Sequence, residues 1–65
     1  MFAVEVNGYT IEPGANLEGA NFAGASLTRA NLEGAWLKGA NLEMAYLEMA
    51  NLKWVNFTDA NLEGA

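Results

Sequence analysis

The chain has 65 residues, eight Asp and Glu against three Lys and Arg, a net charge of −5, and neither Cys nor His. That leaves room for one small domain with a marginal core. It excludes disulfides, thiolate nucleophiles and imidazole ligands, so no metal or cofactor is expected. The surplus of carboxylates also argues against direct nucleic acid binding, which needs Lys and Arg, and serves solubility or a basic partner instead.

Residues 2 to 6 alternate, with Phe2, Val4 and Val6 on one side and Ala3 and Glu5 on the other. This period of two predicts a strand. Asn7-Gly8 comes next, the dipeptide favoured in a two-residue hairpin turn because both residues need positive φ. Tyr9, Thr10 and Ile11 suit a second strand, and Pro13-Gly14 ends it. Residues 1–14 therefore read as an N-terminal β-hairpin cap over one end of a repeat stack, since the terminal units of such a stack need covering. The opening MFAVEVNGYT lacks the basic start and apolar run of a signal peptide, and no stretch approaches the ~18 apolar residues of a membrane span. A soluble cytoplasmic protein is expected.

From residue 15 the chain repeats every five residues. Leu or Phe falls at 17, 22, 27, 32, 37, 42, 47, 52, 57 and 62, with Ala two residues before each except at Val55. Asn precedes the large residue at 16, 21, 31, 41, 51, 56 and 61, and Ser26, Trp36 and Tyr46 take that place elsewhere. Two residues after it stands Gly at 19, 24, 34, 39 and 64, or Arg29, Met44, Met49, Trp54 and Asp59.

A helix cannot use this pattern, because a five-residue step rotates by ~140° and spreads the leucines over every side. A straight strand fails too, because five is odd and alternate units would face opposite sides. A corner in every unit resolves the conflict: Ala in, Asn out, Leu in, then two outward residues that turn. Gly at the second of these predicts a type II turn. Where Arg, Met, Trp or Asp stands instead, positive φ is costly, and another turn type is expected.

Corners in one sense coil the chain into a solenoid, and charges indicate how many units make one coil. With four units, residues 20 apart stack, and Glu18 meets Lys38 while Glu33 meets Lys53, with Glu43 over Glu63 as the single like pair. With three units, Glu18, Glu33, Glu48 and Glu63 form one acidic column and Lys38 meets Lys53. Like charges directly opposite are destabilising, so four units is preferred.

These ten in-register units, spanning 51 of 65 residues, closely resemble the pentapeptide-repeat family. The stretch VNGYTIEPGANL is similar to the leader of small cyanobacterial members. The resemblance implies an all-β fold, a right-handed quadrilateral β-helix with a square cross-section, here about two and a half coils over residues 15–65. It also implies one functional alternative, because some longer members bind DNA gyrase as an acidic rod that stands in for DNA.

On this fold the interior holds columns Leu17/Leu37/Phe57, Phe22/Leu42/Leu62, Leu27/Leu47 and Leu32/Leu52, with Ala between them. The Asn columns are expected to stack their amides outside. Phe57 and Leu62 would lie at an open end with unpaired edges, a route to association, so a homodimer through the C-terminal end is expected; an excerpt of something longer, or a trimmed or designed repeat, is the other reading of that end. Five large apolar residues hold outward places: Trp36, Met44, Tyr46, Met49 and Trp54. An apolar patch rich in aromatic residues reads as a candidate protein contact, and the plain alternative is rings lying flat over neighbouring Gly corners. Catalysis is not expected: Ser26 is the single Ser, no base is recognisable beside it, and a narrow solenoid filled with Leu and Ala has no cleft. The leading reading is a self-associating structural or protein–protein interaction module; the alternative is a DNA-mimic inhibitor of gyrase or topoisomerase, which the charge favours and the short length opposes.

Overall fold

The computed structural model describes residues 4–65, so the expectation that Phe2 continues the Val4/Val6 row lies outside the described residues. The chain is all-β, with no helix among the described residues. Strands β1 (Val4–Val6) and β2 (Tyr9–Ile11) pair antiparallel, Val4 opposite Ile11 and Val6 opposite Tyr9. Asn7 and Gly8 join them at φ 52° and 84°, the two positive values that a type I′ turn requires. The hairpin packs on the first coil. Ile11 is buried, and Val6 and Tyr9 pack against the core. The Tyr9 and Phe22 ring centroids are 5.2 Å apart, within the range of favourable aromatic pairs. Asn7 Nδ2 donates to the Asn21 carbonyl at 3.2 Å.

Beyond the hairpin, backbone segments stack in parallel 20 residues apart: Asn16 with Trp36, Asn21 with Asn41, Ser26 with Tyr46, Asn31 with Asn51, Trp36 with Asn56 and Asn41 with Asn61. The bonds repeat in one register. Trp36 N–H donates to Ala15 O at 2.9 Å, Leu17 N–H to Trp36 O at 2.8 Å and Gly19 N–H to Lys38 O at 2.9 Å. Each 20-residue pass makes four corners, and each corner is closed by a bond from the N–H of the next unit's Ala, or of Val55 in its one exception, to the carbonyl three residues earlier, as from Ala20 to Leu17 at 3.0 Å and Val55 to Leu52 at 3.2 Å. Four units per pass is therefore the observed stacking, the one that the charge columns favour.

Two expectations about the corners need correction. The corners without Gly do not use another turn. Arg29, Met44, Met49, Trp54 and Asp59 have φ of 64°, 60°, 61°, 61° and 58°, against 66° to 72° at Gly19, Gly24, Gly34, Gly39 and Gly64. Their closing bonds are the same, for instance Ala50 N–H to Leu47 O at 3.0 Å. The reason is the ladder. At Arg29 and Met44 the N–H of the corner residue donates into it, to Glu48 O at 2.9 Å and Glu63 O at 2.8 Å. At Met49, Trp54 and Asp59 the carbonyl just before the corner residue accepts from it, Glu48 O from Arg29 at 2.9 Å, Lys53 O from Gly34 at 2.8 Å and Thr58 O from Gly39 at 2.8 Å. A turn with negative φ would flip that peptide out of the ladder. Stacking thus overrides the local preference of a non-Gly residue. Nor does the corner rhythm begin at residue 15. Ala15 N–H donates to Glu12 O at 3.1 Å, with Gly14 at φ 73°, so Glu12-Pro13-Gly14 is already a corner. The rhythm is hidden there because the central place holds exposed Glu12 rather than Leu.

Burial is graded along the chain. Phe22, Leu32, Leu37 and Leu42 have no exposed surface, and Leu17 and Leu27 are buried. Leu47, Leu52 and Phe57 are only partly buried, and Leu62 is 39% exposed. The hairpin lies over one end of the stack; the other end presents its last large residues to solvent.

Candidate functional site

Three devices recur in each unit. Ala and Leu fill the interior, Gly takes the positive φ of the corner, and Asn caps it. The Asn side chain does more than stack. At Asn16, Asn21, Asn31, Asn41, Asn51, Asn56 and Asn61, Oδ1 accepts a hydrogen bond from the backbone N–H two residues on, at 2.9–3.3 Å. An amide-to-amide bond along a column occurs from Asn51 Nδ2 to Asn31 Oδ1 at 3.3 Å. The signal for the capping role was present in the sequence. Asn two places before the first corner residue is the spacing of an Asx-turn.

The five outward apolar residues stand where these devices are given up. Trp36 and Tyr46 replace the capping Asn, and neither side chain has an acceptor oxygen aimed at the next corner's N–H in the way Asn does. Met44, Met49 and Trp54 replace the corner Gly at positive φ, where a side chain costs ~1–2 kcal/mol per residue. They are exposed by 52% (Trp36), 61% (Met44), 56% (Tyr46), 77% (Met49) and 77% (Trp54).

The register distributes them over two regions rather than one continuous patch. Trp36 pairs with Asn16 and Asn56, while Tyr46 pairs with Ser26 two corners away. With four corners to a pass, these are opposite faces. Met44 and Met49 occupy the corners that bound the Tyr46 face, and Trp54 holds the corner before the Trp36 face. One of the five covers a Gly corner, though not with a ring: Met44 Sδ lies so close to Gly64 that a Cβ there would collide with it. Trp54 does not cover Gly34, where a Cβ would meet nothing within 4 Å. The Lys53 ammonium instead lies 4.4 Å from the Trp54 ring centroid, inside cation–π range.

A groove of about 620 Å³ joins the Tyr46 face to the open end, lined by Gly24, Met44, Tyr46, Leu47, Glu48 and Gly64. At that end Leu47, Leu52, Phe57 and Leu62 form the outermost interior row. Sequence reasoning placed Phe57 and Leu62 there and missed that Leu47 and Leu52 share the edge, because only two of the four faces carry a third layer. The N–H groups of Leu17 to Leu42 donate to the adjoining layer, but those of Leu47, Leu52, Phe57 and Leu62 have no backbone acceptor among the described residues. An edge of this kind can be extended by a further strand.

The carboxylates are dispersed. Among the described residues no group of three or more Asp and Glu side chains is placed to hold a metal ion, and no helix is long and apolar enough to cross a membrane.

The family model for pentapeptide repeats matches residues 14–43 and 37–65, in eight copies. Together these segments cover four-fifths of the chain, and such repeats imply a right-handed β-helix. No match to a curated protein is found. With corners every five residues, stacking every 20 and a family match over residues 14–65, the chain belongs to the pentapeptide-repeat family.

Proposed function

We propose that this chain is a non-enzymatic structural and protein–protein interaction module: a right-handed quadrilateral β-helix that self-associates through its open end and offers its outward apolar residues to a protein partner. The observation that carries the reading is the placement of Trp36, Met44, Tyr46, Met49 and Trp54. Within residues 36–54, about one coil, the chain gives up two Asn caps and three corner glycines to put large apolar side chains into solvent. Local rules broken at a cost in stability, with the gain in exposed contact surface, mark a functional region. The two groups lie on opposite faces, so one module can bridge two partners.

Self-association rests on the end. The hairpin covers one end of the stack and leaves the other as an edge of free N–H groups over half-buried Leu47, Leu52, Phe57 and Leu62. Two copies meeting by their open ends around a two-fold axis form a closed dimer, whereas head-to-tail stacking would propagate. The hairpin opposes the second arrangement.

The test separates the two surfaces. Trp36→Asn with Tyr46→Asn and Met49→Gly restores the repeat at three places; it is expected to keep the dimer, raise Tm and abolish the capture of a partner protein from lysate that is expected of the unaltered chain. Leu62→Glu is expected to abolish the dimer. Retention of the same partner by the repaired variant would overturn the contact role, and an unchanged mass for Leu62→Glu would overturn the end-to-end dimer. The DNA-mimic alternative is favoured by the net charge of −5; the molecule measures 32 × 21 × 19 Å, short for an imitation of duplex DNA. Unimpaired supercoiling by gyrase in the presence of the protein would remove that alternative.

A further inference from the structure

We infer that Asn7-Gly8, at the tip of the β1–β2 hairpin, is a self-modification site whose reaction loosens the cap. The chemistry is loss of the side-chain amide. The Gly8 amide nitrogen, giving up its proton, bonds to Asn7 Cγ; the side-chain nitrogen leaves as ammonia, and a five-membered imide remains. Water then opens either imide carbonyl, giving Asp or its isomer in which the main chain runs through the side-chain carboxyl carbon.

Asn7 combines three features that no other Asn of the chain shows together. First, the attacking nitrogen is unhindered: Asn7 is the one Asn followed by Gly, while the others precede Leu or Phe, and a Cβ at Gly8 would meet nothing within 4 Å. Second, that nitrogen is free. Among the described residues Gly8 N–H makes no backbone hydrogen bond outside the strands, whereas Leu17, Phe22, Leu32 and Leu42 donate theirs into the ladder at 2.7–2.9 Å. This separates Asn7 from Asn16, Asn21, Asn31 and Asn41, and the first and third features separate it from Asn51, Asn56 and Asn61 at the open end. Third, the electrophilic side chain is held differently. The seven repeat Asn side chains are pinned through Oδ1 to the N–H two residues on, while Asn7 is tethered only through Nδ2 to Asn21 O at 3.2 Å.

That tether gives the reaction a consequence. Asn7 Nδ2 is the donor that joins the hairpin tip to the first coil. Its replacement by a carboxylate removes the donor and sets a negative charge against a carbonyl oxygen. The isomer also lengthens the main chain by one atom inside a two-residue turn, where loop length sets the register of Val4 opposite Ile11. Both products weaken the seat of Tyr9 on Phe22 and uncover the hairpin end of the stack. The step is spontaneous and one-way, so it acts as a timer on the cap.

Incubation of the whole chain in mildly alkaline buffer at physiological temperature, with peptide mass mapping at intervals, tests this. The expected result is a one-unit mass gain confined to Asn7, faster at higher pH, with the seven repeat Asn unchanged over the same period, and a Tm for the converted protein several degrees below the starting material. An Asn7→Asp variant reproduces the part of that loss due to charge and donor, and an Asn7→Gln variant stays unmodified. Conversion first at any repeat Asn, no conversion at Asn7, or a fully converted protein with unchanged Tm and unchanged amide exchange across β1 and β2 would each overturn the proposal.

Discussion

Replacing Met49 by Gly and, separately, by Ala isolates the corner geometry. Met49 sits at φ 61° and is 77% exposed, so both replacements lose the same small amount of side-chain burial, and their difference reports the backbone. At positive φ an Ala side chain costs ~1–2 kcal/mol. The extra conformational freedom of Gly in the unfolded chain costs about 0.5–1 kcal/mol. The balance favours Gly over Ala by roughly 0.5–1 kcal/mol, and a 1 kcal/mol change moves Tm by about 4–8 °C in a domain of 60–100 residues. Had this corner used a turn with negative φ, only the unfolded-state term would act, and Ala would exceed Gly by about 0.5–1 kcal/mol. The two cases differ in sign. Thermal unfolding monitored by circular dichroism reads them, and the mirror experiment at Gly39 (φ 67°, nothing within 4 Å of an added Cβ) is expected to show Gly39→Ala destabilised without any steric clash. A Met49→Ala variant as stable as Met49→Gly would refute the common-corner reasoning.

Burial grades the cost of core truncation. Leu42→Ala, at a site with no exposed surface, is expected to lose ~2–5 kcal/mol in chemical denaturation, enough to unfold so small a domain, while Leu62→Ala at the 39% exposed edge should lose well under half as much; equal losses would mean that the interior columns are misassigned. The capping role of Asn is tested by Asn41→Ala, which removes the bond to Glu43 N–H at 3.0 Å and should cost about 1 kcal/mol, and by Trp36→Asn, which should raise stability by a similar amount. Gly64→Ala is expected to cost no more than Gly39→Ala, because the Met44 thioether over Gly64 is the exposed end of a flexible side chain and can swing aside; a much larger Tm loss at Gly64 would contradict that.

The coil was legible because two constraints act together at every unit. An odd repeat length forbids a straight strand, and alternate inward Ala and Leu forbid a helix, so corners are required from Leu17 to Leu62. The four-unit pass was legible from Glu18/Lys38 and Glu33/Lys53, which a three-unit pass would set against like charges. The corners at Arg29, Met44, Met49, Trp54 and Asp59 were not legible, because local φ preference points one way and the ladder bonds of the peptide group before each corner residue, through its N–H or its carbonyl, point the other. Only the stacked layer decides between them. The corner at Glu12-Pro13-Gly14 was obscured by an exposed Glu in the central place. The outward residues of the candidate surface were visible as departures from the rhythm; their division between opposite faces needed the register of Trp36 against Asn16 and Tyr46 against Ser26.

Residue-resolved amide exchange, measured over a range of protein concentrations, tests the scaffold and its association together. The N–H groups of Leu17, Phe22, Leu27, Leu32, Leu37 and Leu42 donate to the next layer and should be protected at every concentration. Those of Leu47, Leu52, Phe57 and Leu62 should exchange fast in dilute solution and gain protection as the mass doubles. Fast exchange at Leu32 and Leu37, or open-edge amides that stay unprotected while a dimer forms, would contradict the account.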